Sequence, residues 1–206
     1  MQELSSYFPE LSDTQKMQMA QLGSLYREWN SKINVVSRKD IDNLYTHHVL
    51  HSLAIAKFIG FKADTKILDF GTGGGFPGIP LAIVFPHCQF KLIDGTGKKI
   101  MVAKAVADTI GLKNVEAVHE RGEDEKGLFD FVVSRAVMPL PRLSAIVRKN
   151  ISHHQHNALP NGIITLKGGD LTEELKPFGR RATTTPITDY FKEEWFEDKK
   201  IVYVAM

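Results

Sequence analysis

Cysteine is almost missing from this 206-residue chain, where Cys88 stands alone. One cysteine excludes an intrachain disulfide and fits a reducing compartment. Long hydrophobic runs are missing too. Ile79 to Phe85, itself interrupted by Pro80, is typical of the apolar stretches and far short of the roughly 20 residues a membrane-spanning helix needs. An excess of one charge sign is also lacking. Twenty-six Lys and Arg against 24 Asp and Glu leave a formal charge of +2, too small to require a nucleic-acid partner, so any basic surface must arise by local clustering. Met1-Gln2-Glu3-Leu4-Ser5-Ser6 has no basic-then-apolar pattern of a signal peptide, and cytoplasm is the expected compartment. What is present, 43% hydrophobic and 24% charged residues, suits a globular protein with one well-buried domain and an appendage.

The pattern changes along the chain. Residues 1 to about 60 read as helical. Ser12 with Gln15 makes a capping box, and Met17, Leu22, Leu25, Tyr26, Trp29 and Ile33 recur at roughly helical spacing. A break is expected over Asn30 to Arg38, then a second helix from about Asp40 with Gly60 as its stop. From Thr65 the period shortens. Strands are expected at 66–70, 89–94, 114–118, 129–134 and 162–166, and helices at 77–85, 98–110, 140–150 and 171–176. This alternation predicts an α/β fold with a mostly parallel sheet. Asp189-Tyr190-Phe191 and Ile201-Val202-Tyr203-Val204 lack a helix between them and are expected to close the sheet as an antiparallel hairpin.

The most informative stretch is Lys66 to Gly78. An apolar strand ends at Asp69 and runs into Gly71, Gly73 and Gly75, followed by Phe76 and Pro77. Such a loop lets a ligand lie on bare backbone. The next strand also ends in an acid, Asp94, placed to take a ribose hydroxyl pair. Two cofactors compete. Gly73-x-Gly75-x-x-Gly78 matches the dinucleotide fingerprint of a nicotinamide-dependent oxidoreductase. Asp69-x-Gly71-x-Gly73-x-Gly75 matches the acid-first loop of S-adenosylmethionine-dependent methyltransferases. The upstream acid favours the second, because a carboxylate repels a pyrophosphate and attracts an ammonium or sulfonium. The plainer alternative is that Asp69 only caps the next helix.

Several motifs together resemble the bacterial GidB/RsmG proteins, the 16S rRNA guanine-N7 methyltransferases. Trp29-Asn30 with Asn34 and Ser37 is similar to the family's W-N-x-x-x-N-x-x-S element. His48-Val49-Leu50-His51-Ser52 is similar to H-x-x-D-S, with His51 in place of the usual acid. Asp69 to Pro80 resembles the long D-x-G-T-G-x-G-x-P-G-I-P loop, and Asp94 to Lys99 resembles D-S-x-x-K-[KR], with Gly95 for the usual serine. Ser134-Arg135-Ala136 and Leu166-Lys167-Gly168 resemble the S-R-A and L-K-G signatures. The resemblance covers nearly the whole chain. It implies a Rossmann-like class I methyltransferase sheet of about seven strands over 61–206, the last antiparallel, with an N-terminal helical cap over 1–60. It also implies S-adenosylmethionine as cofactor, and as substrate one guanine in the decoding-region loop of small-subunit 16S rRNA. A monomer without a membrane partner is expected. A non-catalytic RNA-binding relative is the third reading, opposed by the intact Asp69, glycines and Asp94.

On this reading Asp69, Gly71, Gly73, Gly75, Phe76 and Asp94 bind the cofactor, with a core position the rival role of Phe76. By resemblance, Gly122 and Glu123 carry the adenine contacts and Arg135, ending the fourth strand, sits at the cofactor and substrate pocket. A structural ion pair of Arg135 with Asp69 or Glu123 is the rival role. Lys98, Lys99 and Lys167 flank strand ends and are the candidates for rRNA phosphate contact. His48 within an apolar helix reads as a packing residue. His153-His154-Gln155-His156 reads as a solvated loop, not a metal site. No general base is expected, since guanine N7 bears no proton.

Overall fold

The computed structural model describes residues 2–206, with side chains from Leu4 onward. Helices α1 (Gln2–Tyr7), α2 (Asp13–Lys32) and α3 (His51–Phe58) precede an alternating series: β1 (Lys66–Phe70), α4 (Gly78–Val84), β2 (Gln89–Asp94), α5 (Gly97–Thr109), β3 (Val115–His119), β4 (Phe131–Arg135), α6 (Leu140–Val147), β5 (Gly162–Gly168) and α7 (Thr172–Leu175). A hairpin of β6 (Ala182–Pro186) and β7 (Lys199–Ala205) ends the chain. The seven strands lie in the order β3-β2-β1-β4-β5-β7-β6. β1 to β5 run parallel, and β7 is antiparallel to both β5 and β6.

Apolar runs bounded by turns make the parallel strands. In β1 only Lys66 is exposed and the next four residues are buried; in β4 the first four are buried. Strands buried on both faces need helices on both faces, and two hydrophobic clusters, one on each side of the sheet, fill that role. The N-terminal helices join the first of them: Met19, Leu22 and Tyr26 of α2 pack in the same cluster as Ile67 and Ile79. Among the described residues no helix is long and apolar enough to cross a membrane.

The chain winds from β1 outward through β2 to β3, returns to β4 beside β1, and then winds the other way. The switch point therefore lies between the carboxyl ends of β1 and β4. Open α/β sheets hold ligands in that crevice, and Asp69 and Arg135 flank it here, with Asp69 in register with Val133.

Three expectations need correction. The strand paired with β7 is Ala182–Pro186, not Asp189 to Phe191. The threonine run supplies β-branched residues to an exposed edge strand. Phe191 is instead buried among rings, 4.8 Å from Tyr7 and 5.4 Å from Phe196. The apolar stripe of α2 follows Met19, Leu22 and Tyr26, so Met17 faces outward at 59% exposure. The helix from Asp40 is not regular either. A 3-10 turn at Ile41–Asn43 leads into a π-helix at Leu44–Leu50 before α3 begins, and Ile59 in extended conformation ends α3 one residue before Gly60. Widened turns of this kind re-aim side chains and recur at functional sites. The capping box of Ser12 and Gln15 is present, with both reciprocal hydrogen bonds formed.

Candidate active site

The loop after β1 is held from three sides. Its backbone takes positive φ at Gly71 (68°), Gly73 (59°) and Gly75 (112°). The Gly73 amide donates to Asp94 Oδ2 at 2.9 Å, the Thr72 amide to Ile93 O, and Tyr26 of α2 donates its hydroxyl to Gly74 O at 2.7 Å. The freedom of glycine is needed for different reasons along this rim. A Cβ on Gly73 would meet nothing within 4 Å, so the space above that residue is open, as it is above Gly95. At Gly71 that space holds Val137, 2.7 Å from where a Cβ would stand. Gly122 backs onto Phe70, whose ring would lie 1.8 Å from an added Cβ, which accounts for glycine there independently of any ligand. Glu123 is exposed and its carbonyl accepts from Lys149 Nζ.

Asp69 is fully buried. Its Oδ2 accepts from Thr72 Oγ1 at 2.5 Å and from the Gly78 amide at 2.7 Å, which caps α4, so the plainer role foreseen for this acid is real. Its Oδ1 is buried with no partner among the described residues. Burial raises its pKa to about 7 against the opposing hydrogen bonds from Thr72 and Gly78. Asp94 lies at the end of β2, half-buried, and accepts from the Gly73 and Thr96 amides. A carboxylate has about four acceptor positions, so these bonds leave capacity for ligand hydroxyls. Lys98 and Lys99 sit in the first turn of α5 beside this edge, the first exposed and the second half-buried.

The open face over Gly73 and Gly95, an unpartnered carboxylate oxygen behind the loop and a second acid at the β2 end are complementary to a nucleoside bearing a cationic group. A diphosphate in the same place would face two acids.

Arg135 closes the other side. Its Nη2 donates to His48 Nδ1 at 3.0 Å and its Nη1 to His47 O at 3.3 Å, while the guanidinium stands 5.1 Å from the Phe76 ring centroid. Neither foreseen ion pair, with Asp69 or with Glu123, is formed among the described residues. Burial lowers its pKa to about 10, against the charge of Asp69. Because Arg135 can only donate, His48 Nδ1 must be the acceptor and Nε2 carries the proton, which it donates to Asp40 Oδ2 at 2.7 Å. His47 Nδ1 meets Asp40 Oδ1 at 2.5 Å. Burial and the charge of Arg135 lower the His48 pKa to about 4. Burial tends to raise that of Asp40, but the hydrogen bonds from both histidines outweigh it and keep the acid below its ordinary value. His48, expected as a packing residue, thus links Asp40 to Arg135, and the π-helix brings two sequential histidines onto one carboxylate.

Phe76 lies between the two sides, 4.7 Å from Tyr26 and 5.4 Å from His48 by ring centroids. Beyond Arg135 a cavity of about 320 Å³ is lined by Asp40, His47, His48, His51, Lys167 and Trp195 among others. Lys167 is tied down there by Met138 O at 2.7 Å and Glu174 at 2.5 Å. The sequence reading missed Asp40, His47 and Trp195; only the histidine and acid near the family motif gave a local signal. His153, His154 and His156 lie elsewhere, and among the described residues no group of three His, Cys, Asp or Glu is placed to hold a metal.

Residues 15–201 match the model of the family described as GidB, rRNA small subunit methyltransferase G. The "Ribosomal RNA small subunit methyltransferase G" of Parabacteroides distasonis is 62% identical over 203 residues, 98% of this chain and 88% of the relative. That of Phocaeicola vulgatus is 59% identical over 206 residues, 100% and 99% of the two chains. Among solved structures, a SAM-dependent methyltransferase from Aquifex aeolicus is similar with TM-score 0.55 at 20% identity, covering 82% of this chain and 98% of the other. A mutant of MtNAS in complex with S-adenosylmethionine is similar with TM-score 0.58 at 13% identity, covering 93% and 76%. These two likenesses establish the class I methyltransferase fold.

Proposed function

The chain belongs to the GidB family of rRNA small subunit methyltransferase G, and from that premise we propose that it transfers a methyl group from S-adenosylmethionine to N7 of one guanine in the decoding-region loop of 16S rRNA. The observation that carries the reading is the pairing, across one switch point, of an open glycine rim backed by Asp69 and Asp94 with an aromatic, cationic pocket behind Arg135.

The donor supplies an electrophilic methyl on a sulfonium. Gly73 offers open backbone to its methionine end while Gly71 and Gly75, packed against Val137 and Ile79, set the turn; Asp69 Oδ1 accepts from its ammonium, and Asp94 accepts from its ribose hydroxyls. Gly122 and the backbone at Glu123 border the adenine, and Phe76 packs against the ligand's flank. Guanine N7 has a free lone pair and no proton, so no side chain must remove one. The residues contribute alignment, and holding two reactants in line lowers a barrier by about 7–11 kcal/mol. Positive charge passes to the base during transfer, so a cation against N7 would oppose it. Arg135 is therefore assigned to phosphate or to the cofactor carboxylate, held off N7 by its bonds to His47 and His48. Lys98, exposed, and Lys99, half-buried beside it, meet RNA phosphates on this reading, and binding weakens with salt accordingly. Lys167, anchored by Glu174, shapes the pocket edge and adds its charge nearby. Cytoplasm and a monomeric state accord with this reading.

The test offers methyl-labelled S-adenosylmethionine to small ribosomal subunits, naked rRNA and unrelated RNA, and maps the modified base. Label at one decoding-loop guanine supports the reading. Label elsewhere, or none, overturns it.

A further inference from the structure

The cavity beside Arg135 has features that cofactor binding does not use. His51 is 6% exposed, lines the cavity, and its Nε2 is buried without a partner among the described residues. An orphaned polar atom at that depth costs free energy unless something meets it. Burial and the charge of Arg135 hold the His51 ring neutral. A neutral imidazole has one N–H and one bare acceptor; the tautomer with its proton on Nδ1, toward the His47 backbone whose influence opposes the lowered pKa, leaves Nε2 as that acceptor. Around it the walls are aromatic. Trp195 stacks on His47 at 4.2 Å and 14°, and meets His51 edge-on at 5.1 Å. Cations rim the space: Arg135, Lys167 and Lys199, the last 4.9 Å from the Trp195 centroid. Phe76 of the glycine loop touches both Arg135 and His48, so the cavity and the cofactor rim share a wall.

An aromatic-walled cavity with a buried acceptor and a cationic rim is complementary to a purine presenting an N–H edge, joined to a phosphate backbone. We propose that this cavity receives the extruded guanine, with the Trp195–His47 stack as its wall and His51 Nε2 accepting from the N–H edge of the base. This deepens the methyltransferase reading and rests on it. Reading the N–H edge at His51 leaves the adjoining N7 edge without a protein partner and free for the methyl donor. It also discriminates against adenine, whose corresponding ring nitrogen carries no proton.

Two measurements test it. His51→Phe keeps the ring and removes the acceptor. It is expected to leave S-adenosylhomocysteine affinity unchanged, to hold or raise the melting temperature, and to lower kcat/KM on rRNA by about tenfold to a hundredfold. Wild-type kcat/KM in this variant would overturn the role of His51. The second needs no turnover. Trp29 and Trp195 are the two tryptophans, so a Trp29→Phe background reports on Trp195 alone. Guanosine monophosphate is expected to quench its fluorescence more strongly than adenosine monophosphate does, with the preference lost in His51→Phe. No quenching by either nucleotide would overturn the pocket. Quenching with guanine preference in a protein that transfers no methyl would support the pocket and count against the methyltransferase reading instead.

Discussion

The two sides of the crevice are built on different principles. The cofactor side is made of consecutive residues: Asp69 to Gly75 supply a backbone surface in one loop, and Asp94 lies one strand away in register beyond it. The side proposed for the base is made of side chains drawn from Asp40 to His51, Arg135, Leu166 to Gly168 and Trp195 to Lys199, which only the fold brings together. On the proposed reading the first recognises by omitting side chains, and the second by stacking rings and orienting charges through Asp40 and His48. Such a division predicts that substitutions separate by side, except where the sides meet.

Arg135→Ala strikes that junction and carries the largest expected effect. It removes the donors to His47 O and His48 Nδ1 and the cation beside Phe76. Loss of two charge-assisted bonds is expected to lower methyl transfer by about two to three orders of magnitude, with cofactor affinity also weakened. Steady-state kinetics with rRNA and calorimetry with S-adenosylhomocysteine check both. An unchanged cofactor affinity would show the sides to be independent. Gly73→Ala sharpens the contrast. Its methyl projects into open space, so the folded protein loses only about 1 kcal/mol for the left-handed backbone. Cofactor affinity is expected to fall by about tenfold to a hundredfold, while quenching of Trp195 by guanosine monophosphate persists.

A smaller effect comes from pH. The Asp69 pKa is raised to about 7 by burial, so its contribution to stability is full below the usual carboxylate value and is lost as pH rises through about 7. Cofactor binding has the opposite sign if, as proposed, Asp69 receives the ammonium, since that contact needs the ionised acid. Affinity for S-adenosylhomocysteine is expected to drop by up to tenfold per pH unit below about 7 and to level off above it, with Asp69→Asn flattening the curve. Calorimetry across that range measures it, and a level profile in the wild type would detach Asp69 from the ligand.

The same division explains what the sequence made legible. Five parallel strands and the glycine loop were readable because each is a local pattern: an apolar run, a carboxylate, alternate glycines. The hairpin strand was misplaced because Tyr190-Phe191 looks like a strand when its apolar surface is judged alone. Its burial is provided by Tyr7 and Phe196, while the true strand is a polar threonine run at the sheet edge. Trp195 and His47 carry no sequence pattern that joins them across almost 150 positions. His48 in an apolar helix gave a packing signal, because its two partners, Asp40 and Arg135, come from a turn and from a distant strand.

Alignment without a general base is the central claim, and the single-turnover rate of methyl transfer to rRNA tests it most directly. With no proton to remove, the rate is expected to stay level from about pH 7.5 to 8.5, with 7-methylguanosine as the product. A rate climbing tenfold per pH unit, or a methyl found on an exocyclic amine or a ribose hydroxyl, would contradict the account.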